Sequence, residues 1–171
     1  MKKSSGIHVA LVALTLAMLT LAVSACESGC SNSAPAGKTA NIPFTDEGTL
    51  TFSRADSSEI TTIRIEIADD DSTRTRGLMQ RTNMPADAGM LFIFPDETVR
   101  SFWMANTPLS LDMMFVTREG EIIDVHKYTK PLSPENVTSS APAAYVVEVK
   151  AGFTDTWGIS ETDRIEWSAN D

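Results

Sequence analysis

Two carboxylates offer the clearest acid–base chemistry in this chain, Asp112 in LDMMFV and Glu148 in VVEVK. Each sits among apolar neighbours. Burial of that kind raises a carboxyl pKa, and unequal burial can leave one group an acid and its partner a base. A hydrolase or transferase working through this pair is the enzymatic reading. Arg76 and Arg81 supply the competing one: as ion-pair partners they would make both carboxylates structural, and the residue types favour that outcome.

A second constellation is FWMANT, residues 102–107. Trp103 alternates away from Phe102 and Met104 along a strand, so core positions for those two send Trp103 to the other face. Asn106 and Thr107 leave the strand before Pro108, placing an amide and a hydroxyl beside the indole. That is the makeup of a site for a small polar ligand or a peptide. The same residues are equally compatible with a Trp103 packed under residues 130–144 and an Asn106 that caps a turn.

Other chemistries lack their parts. Past residue 25 the chain has one histidine, His126, and cysteines only at 26 and 30, too few soft or imidazole ligands for zinc. A Ser–His–acid triad would have to use His126 without any nucleophile-elbow sequence, and no Gly-rich phosphate loop occurs. His126 reads as an exposed or edge-strand residue. Six of the eight methionines (Met79, Met84, Met90, Met104, Met113 and Met114) crowd residues 76–115. Thioethers bind Cu(I), yet Met104 and Met113 follow strand periodicity, which favours core packing. Asp69, Asp70 and Asp71 precede a short helical pattern and suit N-terminal capping better than a cation loop, which would need a glycine turn and a later glutamate. No metal and no cofactor is expected.

The wider chain sets where these residues work. Its 171 residues allow one domain with appendages, and 42% hydrophobic against 22% charged residues suits a globular protein. Residues 1–25 read as a secretory signal: Lys2 and Lys3, an apolar run over 9–21, then small residues. Its end, Val23-Ser24-Ala25-Cys26, resembles a bacterial lipobox, in which the cysteine is lipidated and becomes the first residue. Glu27 after that cysteine implies, by the same resemblance, the periplasmic side of the outer membrane. Removal of the signal leaves 12 basic side chains against 23 acidic ones, a net charge of −11. Such a surface repels nucleic acid phosphates, so no nucleic acid partner is expected. Residues 26–43 hold the lipidation site and a tether rich in Ser, Ala, Gly, Asn and Pro, and residues 44–171 form the domain. Cys30 reads as incidental in the tether. A monomer is expected.

Within the domain, alternation predicts strands over 49–53, 63–67, 90–94, 101–104, 111–116, 122–128, 145–149 and 164–167. A helix is expected over 72–80 with Leu78 and Met79 inward, and one helical turn over 152–158. Glu119 and Gly120 mark a hairpin, and prolines make 130–144 a loop. The expected class is mainly β (α+β), a barrel- or sandwich-like domain of about eight short strands with one or two short helices.

The ordered blocks RGLMxR (76–81), GMLFxF (89–94), SFWMxNT (101–107), LD (111–112) and VVEVxAG (146–152) resemble the DUF192 family across 63–165. Ala105 stands where such sequences usually carry lysine after WM, and Ser110 where they carry proline before LD. A ligand contact made by that lysine would be missing here. The resemblance implies a small β-rich fold, often exported or lipid-anchored, and no assigned activity. The expectation is therefore a lipid-anchored envelope binding or accessory domain. Arg76, Trp103, Asn106, Thr107, Asp112 and Glu148 would face a small ligand or an envelope protein. The carboxylate-pair enzyme and a Cu(I)-handling protein are the rivals.

Overall fold

The computed structural model describes residues 42–171. The expected export signal over 1–25, the expected lipidation site Cys26, Cys30 and the expected tether as far as residue 41 lie outside the described residues.

Seven strands and two short helices follow one another as β1 (Gly48–Ser53), β2 (Glu59–Ala68), α1 (Asp71–Arg76), β3 (Ala88–Trp103), β4 (Leu111–Val116), β5 (Ile122–His126), β6 (Asn136–Lys150), α2 (Phe153–Trp157) and β7 (Arg164–Ala169). They form one sheet ordered β5-β4-β6-β3-β2-β1-β7. Every pairing is antiparallel except β2 with β3. A parallel pair needs a crossover, and α1 with the segment after it supplies one. The sheet curls until its outer strands meet at one end. There Glu121 bridges to Arg164, the Ile122 N–H donates to the Asp163 carbonyl at 2.8 Å, and the Ile165 N–H donates to the Gly120 carbonyl at 2.8 Å. Gly120 is required at this seam, because at its φ of +86° a Cβ would lie 2.5 Å from the Ile165 oxygen.

Curling leaves two apolar clusters, one on each face. The concave cluster holds Leu50, Phe52, Ile65, Met114, Val147 and Val149, closed by Phe153 of α2. The opposite face packs Leu78, Met90, Phe92, Met113, Phe115 and Val146. All six residues of β4 are buried, which is why its sequence is nearly continuous in apolar residues.

The mainly β class stands, with seven strands in place of eight. The predicted strands 90–94 and 101–104 are one long strand, β3, whose pairing is irregular between Ile93 and Thr98. Pro95 lies in that gap, where its missing N–H costs no ladder bond. The expected loop 130–144 is strand from Asn136 onward. Pro142 pairs with Val99 beside a second irregularity, so the proline reads as a breaker in sequence and is absorbed at a bulge in the fold. The first helix is shorter than expected. Asp70 caps it, accepting from the N–H groups of Ser72 and Thr73, and Gly77 ends it at φ +45°. Leu78 is buried and Met79 half-buried.

Candidate functional site

A cleft of about 520 Å³ lies on the convex face, where α1 and residues 77–79 overhang β3 and β6, a size in the range of small-molecule sites. Phe92, Phe94 and Leu78 give it apolar walls, Ser101, Thr107 and Asn136 give it polar groups, and Trp103 and Arg76 stand at its rim. Gly77 makes the overhang possible. A Cβ at that position would come within 3.0 Å of the Phe92 ring.

Glu148 lines the same cleft and is 5% exposed. It lies on β6 between Met90 of β3 and Met113 of β4, sharing its face with Val146. Burial alone pushes its carboxyl up to about 8, with neither a hydrogen bond nor a cation to hold it down. At neutral pH the group is a protonated acid that can donate as well as accept.

The two arginines of α1 differ. Arg74 is committed to the protein: it pairs with Asp71 at 2.6 Å, donates to the Ile93 carbonyl at 2.8 Å and to the Asp69 carbonyl, and lies over the Phe94 ring. Arg76 is exposed and makes no ion pair among the described residues. Trp103 is 53% exposed, and packing of its neighbour Phe102 edge-on against Phe92 and Phe115 fixes which way it turns. Thr107 is buried and held by its backbone, its N–H donating to the Met104 carbonyl and its carbonyl accepting from Leu132. Asn106 does not line the cleft. Its carbonyl accepts from the Gln80 N–H at 2.8 Å and its side-chain amide points to the Met79 sulfur, tying the end of β3 to the overhang.

Asp112 is placed elsewhere. It shares the concave face with Met114, is 0% exposed, and accepts from the N–H groups of Tyr128 (2.9 Å), Gly152 (3.0 Å) and Thr154 (3.0 Å) and from the Thr154 hydroxyl (2.7 Å). This carboxylate locks α2 and the turn at Tyr128 onto β4. The fold therefore does not bring Asp112 and Glu148 together, because they lie on opposite faces of the sheet. Neither pairs with an arginine. Arg81 instead pairs with Glu66 through contacts of 2.9 and 2.5 Å, both residues buried, and Glu66 also accepts from the Thr45 N–H.

Five of the six crowded methionines are buried. Met114 belongs to the concave cluster and Met84, Met90, Met104 and Met113 to the convex one, while Met79 alone reaches the cleft. His126 lies on the outer strand β5, its ring edge-on to Phe115.

Sequence reasoning passes over Phe92, Phe94, Gly77 and Asn136. The alternation of Met90, Phe92 and Phe94 was a usable signal for the first two, and a glycine directly after a short helix for the third. Asn136 had none, standing in a segment that reads as loop.

The chain matches the DUF192 family, described as an uncharacterised ACR, over residues 52–167. No protein of curated function matches it. A crystal structure from Sinorhizobium meliloti 1021, of a protein described only provisionally as a transcription regulator, is 35% identical with a TM-score of 0.68, covering 74% of this chain and 98% of that one. A protein of unknown function from Novosphingobium aromaticivorans DSM 12444 is 26% identical with a TM-score of 0.65, covering 70% and 84%. With the family's span running from β1 into β7, this chain belongs to the DUF192 family.

Proposed function

We propose that this protein is a ligand-binding domain held in the cell envelope by a lipid on Cys26, with the cleft over Glu148 as its ligand site. One contrast carries the reading. The buried carboxylates Asp112, Glu66 and Asp163 are each met by protein groups: Asp112 by four donors, Glu66 by Arg81 and Asp163 by Arg54 and Ser160. Glu148 alone among them faces a cleft with burial uncompensated. Among the described residues no side-chain oxygen is sealed away without a partner, so the Glu148 carboxyl, which makes no hydrogen bond to the protein, is reached from the cleft, where a ligand can meet it.

The envelope location rests on the export signal and the lipobox-like VSAC at 23–26. A net charge of −9 over the whole chain argues against a nucleic acid partner, whatever role the Sinorhizobium protein has. The domain acts as a monomer in this reading, and the Glu148 site needs no metal or cofactor.

Native mass spectrometry of the full chain, extracted from membranes without refolding, tests the site. A small molecule should accompany the wild type and be lost from Ser101→Trp, which fills the cleft from β3. Equal ligand content in both proteins, or none in the wild type together with no response of Trp103 fluorescence to a cell extract, would sink the reading. Incorporation of a labelled fatty acid, abolished by Cys26→Ala, tests the anchor.

A further inference from the structure

We infer that the ligand of this cleft is an apolar monocarboxylate that also carries a hydrogen-bond acceptor: its carboxylate meets Arg76 at the rim, its apolar body lies along Trp103 and Phe92, and its acceptor takes a hydrogen bond from the Glu148 carboxyl. The inference rests on the ligand-binding reading above and names the chemistry of that site.

Charge counting leads to it. Four charged or titratable groups line the cleft: Asp71, Arg74 and Arg76 from α1, and Glu148 from β6. Asp71 and Arg74 pair with each other, and Arg74 is further tied to backbone carbonyls on both sides. Glu148 is uncharged at neutral pH because burial opposes its ionisation. The uncompensated charge that remains is the single guanidinium of Arg76, exposed and planar, a group suited to grip a carboxylate with two parallel hydrogen bonds.

The apolar surface between rim and floor is aromatic. Phe92 and Phe94 form the wall under the overhang, and Trp103 offers an exposed ring face. The floor presents one neutral donor. A ligand ammonium placed there would have to lose its water and ionise Glu148 inside an apolar wall, so that two ions pay desolvation at once. A carbonyl or ether oxygen accepts the existing proton and separates no charge. N-acylated apolar amino acids, and the C-termini of apolar peptides, have this arrangement of carboxylate, apolar body and carbonyl.

The experiment is calorimetric titration of the full chain with three probes at pH 6, 7 and 9: N-acetyl-L-phenylalanine, its uncharged amide N-acetyl-L-phenylalaninamide, and free L-phenylalanine. The acetylated acid should bind, and removal of the charge on either side, by the amide probe or by Arg76→Gln, should weaken binding at least about tenfold. Glu148→Gln keeps a neutral donor at the floor and should bind within about threefold of the wild type at pH 6 and 7. The wild type should lose about tenfold in affinity between pH 7 and pH 9 as the donor is titrated, and the glutamine variant should not. Tighter binding of L-phenylalanine than of its acetyl form, lost in Glu148→Gln, would overturn the inference in favour of a cation-binding carboxylate. No heat from the acetylated acid, while a cell-derived ligand still accompanies the protein, would overturn the ligand class and leave the site standing. No probe binding and no cell-derived ligand would remove both. Arg76 is exposed, so its variant tests the carboxylate contact even where substitution at Glu148 impairs folding.

Discussion

Replacing Glu148 with glutamine should make the protein more stable at alkaline pH, by an amount that grows with pH. In the folded protein the carboxyl is raised from 4.5 to about 8 by burial, so the folded state holds a proton that the unfolded chain releases above pH 4.5. For a group raised in this way the stabilisation is fully present below the unfolded value and is lost as pH climbs through the folded one. Each unit corresponds to about 1.4 kcal/mol, and the loss between pH 5 and pH 8 comes to about 3.5 kcal/mol, a large share of the 5–15 kcal/mol typical of a domain. Asp56, Asp70, Asp87, Asp96 and Asp155 do not blur the window. Hydrogen bonds hold each of them below the ordinary 3.8, so their contribution is lost only on the acid side, as pH falls through those lowered values. Urea unfolding of wild type and Glu148→Gln at pH 5, 6, 7 and 8 isolates the Glu148 contribution, since groups common to both proteins cancel in the difference. The two should agree most closely at pH 5 and diverge steadily, the variant being the more stable at pH 8. A difference that stays constant to within about 0.5 kcal/mol across that range would refute the picture of an uncompensated buried acid.

Three further substitutions probe the parts that hold the site in place. Asp112→Ala strands the buried N–H and hydroxyl of Thr154 and the half-buried N–H groups of Tyr128 and Gly152, a buried unsatisfied group costing about 1–3 kcal/mol, and should cost at least about 3 kcal/mol in urea unfolding, with the fastest rise in amide hydrogen exchange at Gly152 and Thr154. Arg81→Met leaves the buried Glu66 without its ion-pair partner and should cost about 3–5 kcal/mol, most of which returns when Glu66→Leu is added; a double variant as unstable as the single one would show that the pair is worth keeping for its own sake. Gly77→Ala forces a side chain onto a left-handed φ of +45° and to 3.0 Å from the Phe92 ring. It should lower stability by about 1–3 kcal/mol in thermal unfolding and narrow the cleft.

Much of the fold is legible because strand alternation and capping are local signals. Ile63, Ile65 and Ile67 announce β2, Asp70 announces the start of α1, and Gly152 and Gly158 bracket α2. The errors of extent in β3 and β6 share one cause. Pro95 and Pro142 read as breaks, yet both sit at irregularities of the β3–β6 pairing, where a missing donor does no harm. Of the candidate site, Arg76, Trp103, Thr107 and Glu148 line the cleft, Asn106 stands beside it, and Asp112 serves the opposite face.

The sequence by itself determines that this chain holds a β-rich domain, and that two carboxylates stand among apolar residues. Periodicity also assigns neighbours within one strand to alternate faces. What only the tertiary structure decides is how the faces of different strands correspond. Asp112 lies opposite Val149 and Glu148 opposite Met113, so a register offset of one residue sends the two carboxylates to opposite sides of the sheet. One is then met by the amides of Tyr128, Gly152 and Thr154 on the concave face, and the other is left unpaired beneath α1. Nothing in either strand alone encodes that offset, because side-chain direction repeats every two residues while strand pairing is set by contacts far apart in the chain.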